Sequence, residues 1–242
     1  NTTNGQIKLY AKAPYISGVM TAYGLFLGTT DQSYSLTGAN AVISVLAGSI
    51  GTGSLSLQTA SNLSIGSLSS VDGFTGAGLT ITSTATLSQT QAISVSTLTL
   101  AGTNGVFDLS LANTISTSIA LNSGTLKVSH ASALGSASAP ITMAANSILL
   151  SNVSTLTLSN PIVMSGAATI NAPSTYTLTL SGIISSTGNL TINSPTTNTG
   201  TVVFTGANTY SGTTTISAGT LQIGSGSTTG TIGSGNVTNN GA

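Results

Sequence analysis

Apolar and polar residues alternate along most of the chain with a period of two. Leu98 and Leu100 are interleaved with Thr97 and Thr99, and the same Thr-Leu-Thr-Leu tetrad returns at 155–158 and 177–180. Related triplets run through the sequence: Leu55-Ser56-Leu57, Leu63-Ser64-Ile65, Leu79-Thr80-Ile81, Ile93-Ser94-Val95, Leu109-Ser110-Leu111, Leu190-Thr191-Ile192 and Leu221-Gln222-Ile223. Strict alternation predicts strands with one buried and one wet face. Each predicted strand is about three to five residues long and is bounded by Gly, Asn, Ser or Pro. One stretch has helical composition, 131–139, but it contains Gly135 and runs into Pro140, so a turn is expected there.

Many short strands suit a sandwich, a barrel or a solenoid. The triplets are too short and too numerous for long barrel hairpins. Asn-Gly hairpin turns are scarce: after Asn4-Gly5 they occur at Asn104-Gly105 and Asn240-Gly241. Charge is expected to be absent from the strands, because stacked rungs would bring like charges into register. These features favour a solenoid. Rungs of about 20 to 25 residues would give roughly ten coils, each burying its apolar face only against its neighbours.

Composition narrows the functional classes. Six of 242 residues are charged (Lys8, Lys12, Lys127, Asp31, Asp72 and Asp108), which is 2% of the chain, and the net charge is zero. Three Lys and no Arg cannot neutralise a nucleic-acid backbone. The chain has no Cys, so disulfides and thiol chemistry are excluded. Ser and Thr make up about a third of the residues, yet 39% are hydrophobic and the mean hydropathy is +0.41, so a packed structure rather than disorder is expected. No signal peptide is visible at Asn1, and the apolar stretch 19–27 is too short to span a bilayer as a helix.

Two four-residue segments recur. Thr37-Gly38-Ala39-Asn40 returns at 205–208, and Ser123-Gly124-Thr125-Leu126 returns as Ala218-Gly219-Thr220-Leu221. The second of these lies in a longer and more specific stretch, Val203-Phe204-Thr205-Gly206-Ala207-Asn208-Thr209-Tyr210-Ser211-Gly212 followed by Thr213-Thr214-Thr215-Ile216-Ser217-Ala218-Gly219-Thr220-Leu221. It closely resembles the passenger-associated repeat of bacterial autotransporters, and the likeness extends over about residues 100–242, being clearest at 203–241. The resemblance implies a right-handed parallel β-helix, displayed at the bacterial surface or secreted, whose repeat assists passenger folding and transport. The translocating barrel of that family has no counterpart here; it would lie beyond Ala242, or the repeat serves another kind of secreted protein. Within the repeat, Gly206, Gly212 and Gly219 are expected to take positive φ at corners. Asn208 is expected to cap a turn or join an inward Asn ladder, and Tyr210 to cover the edge of a coil rather than offer a ligand platform.

Residues 1–36 differ from the rest and form a separate cap or assembly segment in this reading, with the solenoid at 37–242. Half of the aromatic residues fall here (Tyr10, Tyr15, Tyr23, Phe26 and Tyr34). Residues 6–12 alternate as one strand with Ile7, Leu9 and Ala11 on one face. The segment either blocks an open sheet edge or docks on another subunit.

Candidate chemistry is sparse. His130, any Ser and Asp108 make a paper triad of almost no specificity, without a Gly-x-Ser-x-Gly elbow. Asp31, Asp72 and Asp108 are too scattered for the paired carboxylates of a glycosidase. No catalytic residue, cofactor or metal is expected. Six Thr-x-Thr pairs, 80/82, 84/86, 97/99, 155/157, 177/179 and 213/215, allow an ice-binding alternative if they form a flat array. Thr is also simply a good strand former. The expected function is thus a secreted or cell-surface structural or adhesive solenoid, non-catalytic and self-associating head to tail or attached to a host or matrix surface. It would bind no nucleic acid and insert in no membrane. Ice binding and a carbohydrate-active enzyme are the alternatives.

Overall fold

The computed structural model describes residues 5–10, 20–29, 31–194, 197–226 and 229–241, with the side chains of 38–41 set aside. Among the described residues there is no helix; parallel strands stack into a β-solenoid of about ten turns. A regular coil has three sides. In one coil they are the strands Ile141–Met143, Ser147–Ser151 and Thr155–Leu158. The next coil repeats them as Ile162–Met164, Ala168–Asn171 and Thr177–Leu180, each paired in parallel with its predecessor. The coil after that offers Ile184–Ser186, Leu190–Ile192 and Thr201–Phe204 in the same order.

Alternation turns every second residue into the prism, where like residues stack. On the first side, one inward column runs Leu55, Leu79, Leu98, Ile119, Ile141, Ile162 and Ile184. All seven are buried in one continuous core that extends from Met20 to Ile216. Burying such a side chain contributes about 1.5–3 kcal/mol. A lone coil could not do it, since the neighbouring coils supply the top and bottom of each side chain's cage.

Four strands exceed the expected length: Tyr34–Ser49, Phe74–Ser83, Ile93–Ala101 and Thr114–Leu121. Each turns a corner without breaking its pairing. Ile93–Ala101 does so at Ser96, where the register with the next coil slips between Val95 and Thr97. The expectation that charge stays out of the strands also fails. Asp108 and Lys127 face outward at paired positions of Val106–Leu109 and Gly124–Val128, with Nζ 3.3 Å from Oδ2. Opposite charges on successive rungs attract, so stacking forbids repeated charge rather than charge as such. The 131–139 stretch forms turns, as expected.

One element was invisible in the pattern. Ser67–Leu68 and Val71–Asp72 form an antiparallel hairpin that leaves the coil. Its turn residues Ser69 and Ser70 both have positive φ, 53° and 63°, without the Asn-Gly that usually marks such a turn. Leu68 covers Phe26 and Ala47 in a small second core outside the main one. Gly24 lies under it: a Cβ there would stand 2.8 Å from both Leu68 Cδ atoms. Ser69 Oγ donates to Gln6 Oε1 at 2.9 Å and Gln91 Nε2 donates to Ser67 Oγ at 3.1 Å, so the hairpin clasps several coils at once.

Candidate functional site

The amino-terminal segment continues the stack. Gln6–Leu9 pairs with 24–27 and Thr21–Leu27 pairs with 42–48, both in parallel. Ile7 and Leu9 are half-buried against the main core, as their alternation predicts. Phe26 points outward beneath the hairpin, with the Tyr10 ring centroid 5.5 Å away. Tyr10 and Tyr23 are exposed, at 61% and 51%. Tyr15 and Ala11 fall outside the described residues. The boundary drawn at 36/37 falls within the strand Tyr34–Ser49.

The stretch 203–221 is a regular part of the stack. Thr201–Phe204 forms a third side, Thr214–Ile216 a second side and Thr220–Ile223 the third side of the following coil. Tyr210 is fully buried, so it neither covers an edge nor offers a platform; its hydroxyl lies 2.7 Å from Thr214 Oγ1. Gly219 has φ +61°, as expected of a corner. Gly206 and Gly212 do not take positive φ. They are required instead by close approach between coils: a Cβ would stand 2.4 Å from Gly182 O at Gly206, and 2.0 Å from Gly188 O at Gly212. The second contact belongs to a column, Gly166, Gly188, Gly212 and Gly235, in which each glycine sits against the backbone of the coil before it.

Asn208 spans three coils. Its Oδ1 accepts from Ile184 N at 2.8 Å and its Nδ2 donates to Thr231 O at 2.7 Å. Asn113 has the same role elsewhere. Its Oδ1 accepts from Ile93 N and Gln89 Nε2, both at 2.8 Å, and its Nδ2 donates to Ala133 O at 2.8 Å and Gln89 Oε1 at 3.2 Å. Asn160 Nδ2 donates back to Ser136 O and Ala139 O at 2.9 Å. These bonds step 20 to 24 residues, which is the coil length. Buried corner backbone that has no strand partner must find one, and Asn supplies a donor and an acceptor together. Asn113 and Asn160 were not singled out from the sequence; their spacing of one coil from corner residues was the available signal.

The few titratable groups serve local bonds. Asp72 accepts from Ser67 Oγ, Asp108 pairs with Lys127, and the exposed His130 accepts from Ser132 N at its Nδ1. Among the described residues no three His, Asp or Glu gather at one point. Asp31 Oδ1 accepts from Thr52 N at 2.9 Å and from Thr52 Oγ1 at 2.8 Å, one coil on. The Thr52 N–H first and its hydroxyl second hold this carboxyl below its ordinary range. Stability from this contact is therefore present above the ordinary Asp range and lost as pH falls through the lowered value. Acid titration of the melting temperature should show a shallower acid limb in Asp31→Asn than in the parent; an identical limb would contradict the assignment.

Thr pairs stack less regularly than an ice-binding array needs. Thr155/Thr157 and Thr177/Thr179 lie in register, but the next coils place Thr201 with Val203 and Thr220 with Gln222. Thr97/Thr99 lies beside Gly78 and Thr80, offset from the pair 80/82. The second side instead carries an outward column of β-branched residues: Thr86, Val106, Thr125, Ile148, Thr169, Thr191, Thr215 and Thr238.

Comparison with known families decides what the coil around Tyr210 is. Residues 197–223 match the family model described as Passenger-associated-transport-repeat. The chain carries a passenger repeat. Neither the curated proteins nor the solved structures give a match. The passenger repeat, set within a β-solenoid, is consistent with an autotransporter passenger domain and fits a surface protein of that kind.

Proposed function

We propose that this chain is a section of a secreted or cell-surface passenger with a structural and adhesive role, non-catalytic and self-associating. The passenger repeat supports the location. The observation that carries the role is the outward β-branched column of the second side, a long, nearly neutral strip of Thr, Val and Ile. Such a strip can meet a like surface through hydroxyl hydrogen bonds and apolar contact, with little charge to screen. Sedimentation and electron microscopy of the purified chain test this. Concentration-dependent association should appear and should change little between low and molar salt. A strict monomer at all concentrations, or association abolished by salt, would overturn the reading.

A further inference from the structure

Three consecutive coils differ in the length of the turn between their first and second sides. The turn is 102–105 after Ile93–Ala101, only 122–123 after Thr114–Leu121, and 144–146 after Ile141–Met143. The short middle turn leaves a recess between two longer ones. The result is a cleft of about 280 Å³, with Thr103 and Asn104 on one wall, Ala145 and Asn146 on the other, and Ser123 and Thr125 on the floor. Gly124 keeps the floor low, at φ +88°, with no room for a Cβ against Gly102 O and Gly105 O, both 2.7 Å away.

We propose that this cleft binds a single neutral sugar unit, such as one residue of a glycan. Asn104 and Asn146 both hold positive φ, 66° and 63°, and their amides have no hydrogen-bond partner among the described residues. They belong to coils two steps apart, roughly 10 Å at the strand spacing of a sheet. That separation suits a pyranose ring held between two amides. The hydroxyls of Thr103, Ser123 and Thr125 line the same space, and Ile148 adds an apolar patch for the ring's C–H face. A few polar groups fixing orientation beside an apolar surface is the usual build of a small-ligand site, and the volume sits at its lower end. The lining carries no charge, and Lys127, outward on the same strand as Thr125, is paired with Asp108. The preference is therefore for neutral over anionic sugars. The site belongs to the turns and does not rest on the self-association proposed above, since a monomeric chain would retain it.

Saturation-transfer NMR and titration calorimetry on the intact chain test the proposal, with methyl hexopyranosides and N-acetylglucosamine as neutral probes. Glucuronate is the acidic probe and sorbitol the open-chain one. Neutral pyranosides should receive saturation and bind. The double substitution Asn104→Gly with Asn146→Gly removes both amides while leaving backbones suited to positive φ. It should weaken binding by about tenfold or more, as the loss of two hydrogen bonds implies. Ala145→Trp, on the exposed wall, should abolish binding by filling the cleft and is the second variant should the first not fold. No transfer to any neutral pyranoside, equal binding by the variants, or binding confined to glucuronate or sorbitol would overturn it.

Discussion

Replacing Asn113 by leucine should lower stability by roughly 3–6 kcal/mol, because each buried group deprived of its partner costs about 1–3 kcal/mol. Leucine nearly matches the volume of Asn, so packing alone predicts little loss. The loss comes from what remains: Ile93 N, Ala133 O and the Gln89 amide, all held by Asn113 in the parent. These groups lie on three coils, and a stack is stable only through neighbour contacts. Denaturant unfolding should therefore shift to a lower midpoint and divide into two phases, one for the coils on each side. Asn113→Asp should be similarly harmful at neutral pH, since a carboxylate cannot donate to Ala133 O, and should recover in part when protonated. A single transition with an unchanged midpoint in the leucine variant would show that the amide bridge is not a joint between coils.

The second large effect is expected at Tyr210 in the passenger repeat. Tyr210→Ala should cost about 4–5 kcal/mol, the upper part of the range for deleting a buried aromatic ring. The ring fills the core where Gly233 has no side chain; a Cβ there would lie 2.6 Å from Tyr210 Cδ2 and Cε2. The Thr214 hydroxyl, itself buried, also loses its partner. Tyr210→Phe separates the two terms, keeping the ring and stranding Thr214, and should cost about 1 kcal/mol. Unfolding midpoints of the two variants decide. Equal losses would mean that the hydroxyl pair, not the ring, holds this coil. The passenger repeat thus keeps its Tyr for the interior, and a surface role for that residue would require an accessible ring that the coil does not provide.

Much of the fold was legible because strand burial is a local property. In Thr177–Leu180 the two leucines are inside and the two threonines outside, as alternation alone requires. The coil length was legible too, since the apolar triplets return at about the same interval. The identical tetrads were not equally interpretable. Thr155–Leu158 and Thr177–Leu180 stack on one another, whereas Thr97–Leu100 lies on a different side of the prism. Likewise Gly124 and Gly219, matched in the two Gly-Thr-Leu segments, serve the second and third sides respectively. Turn lengths vary from coil to coil, so a fixed period read along the chain loses the side.

The candidate site residues divide in the same way. That 206, 212 and 219 must be glycine was readable, but only at Gly219 is the reason a positive φ. At Gly206 and Gly212 the reason is a carbonyl from the coil before. Asn113 bridges coils from the inside, whereas Asn122 is exposed in a short turn, and nothing in the local sequence separates them. The sequence by itself determined that this protein would be strands of period two, neutral on the outside, stacked coil upon coil, with a passenger-type repeat near residue 210. Those properties follow from each residue's own burial and from repeated contact between like residues. Only the tertiary structure decided which residues meet across coils: the Asn bridges, the glycine column, the clasping hairpin and the recess at the 122–123 turn. Each joins groups about one coil or more apart along the chain, and their meeting depends on the lengths of all the turns between them.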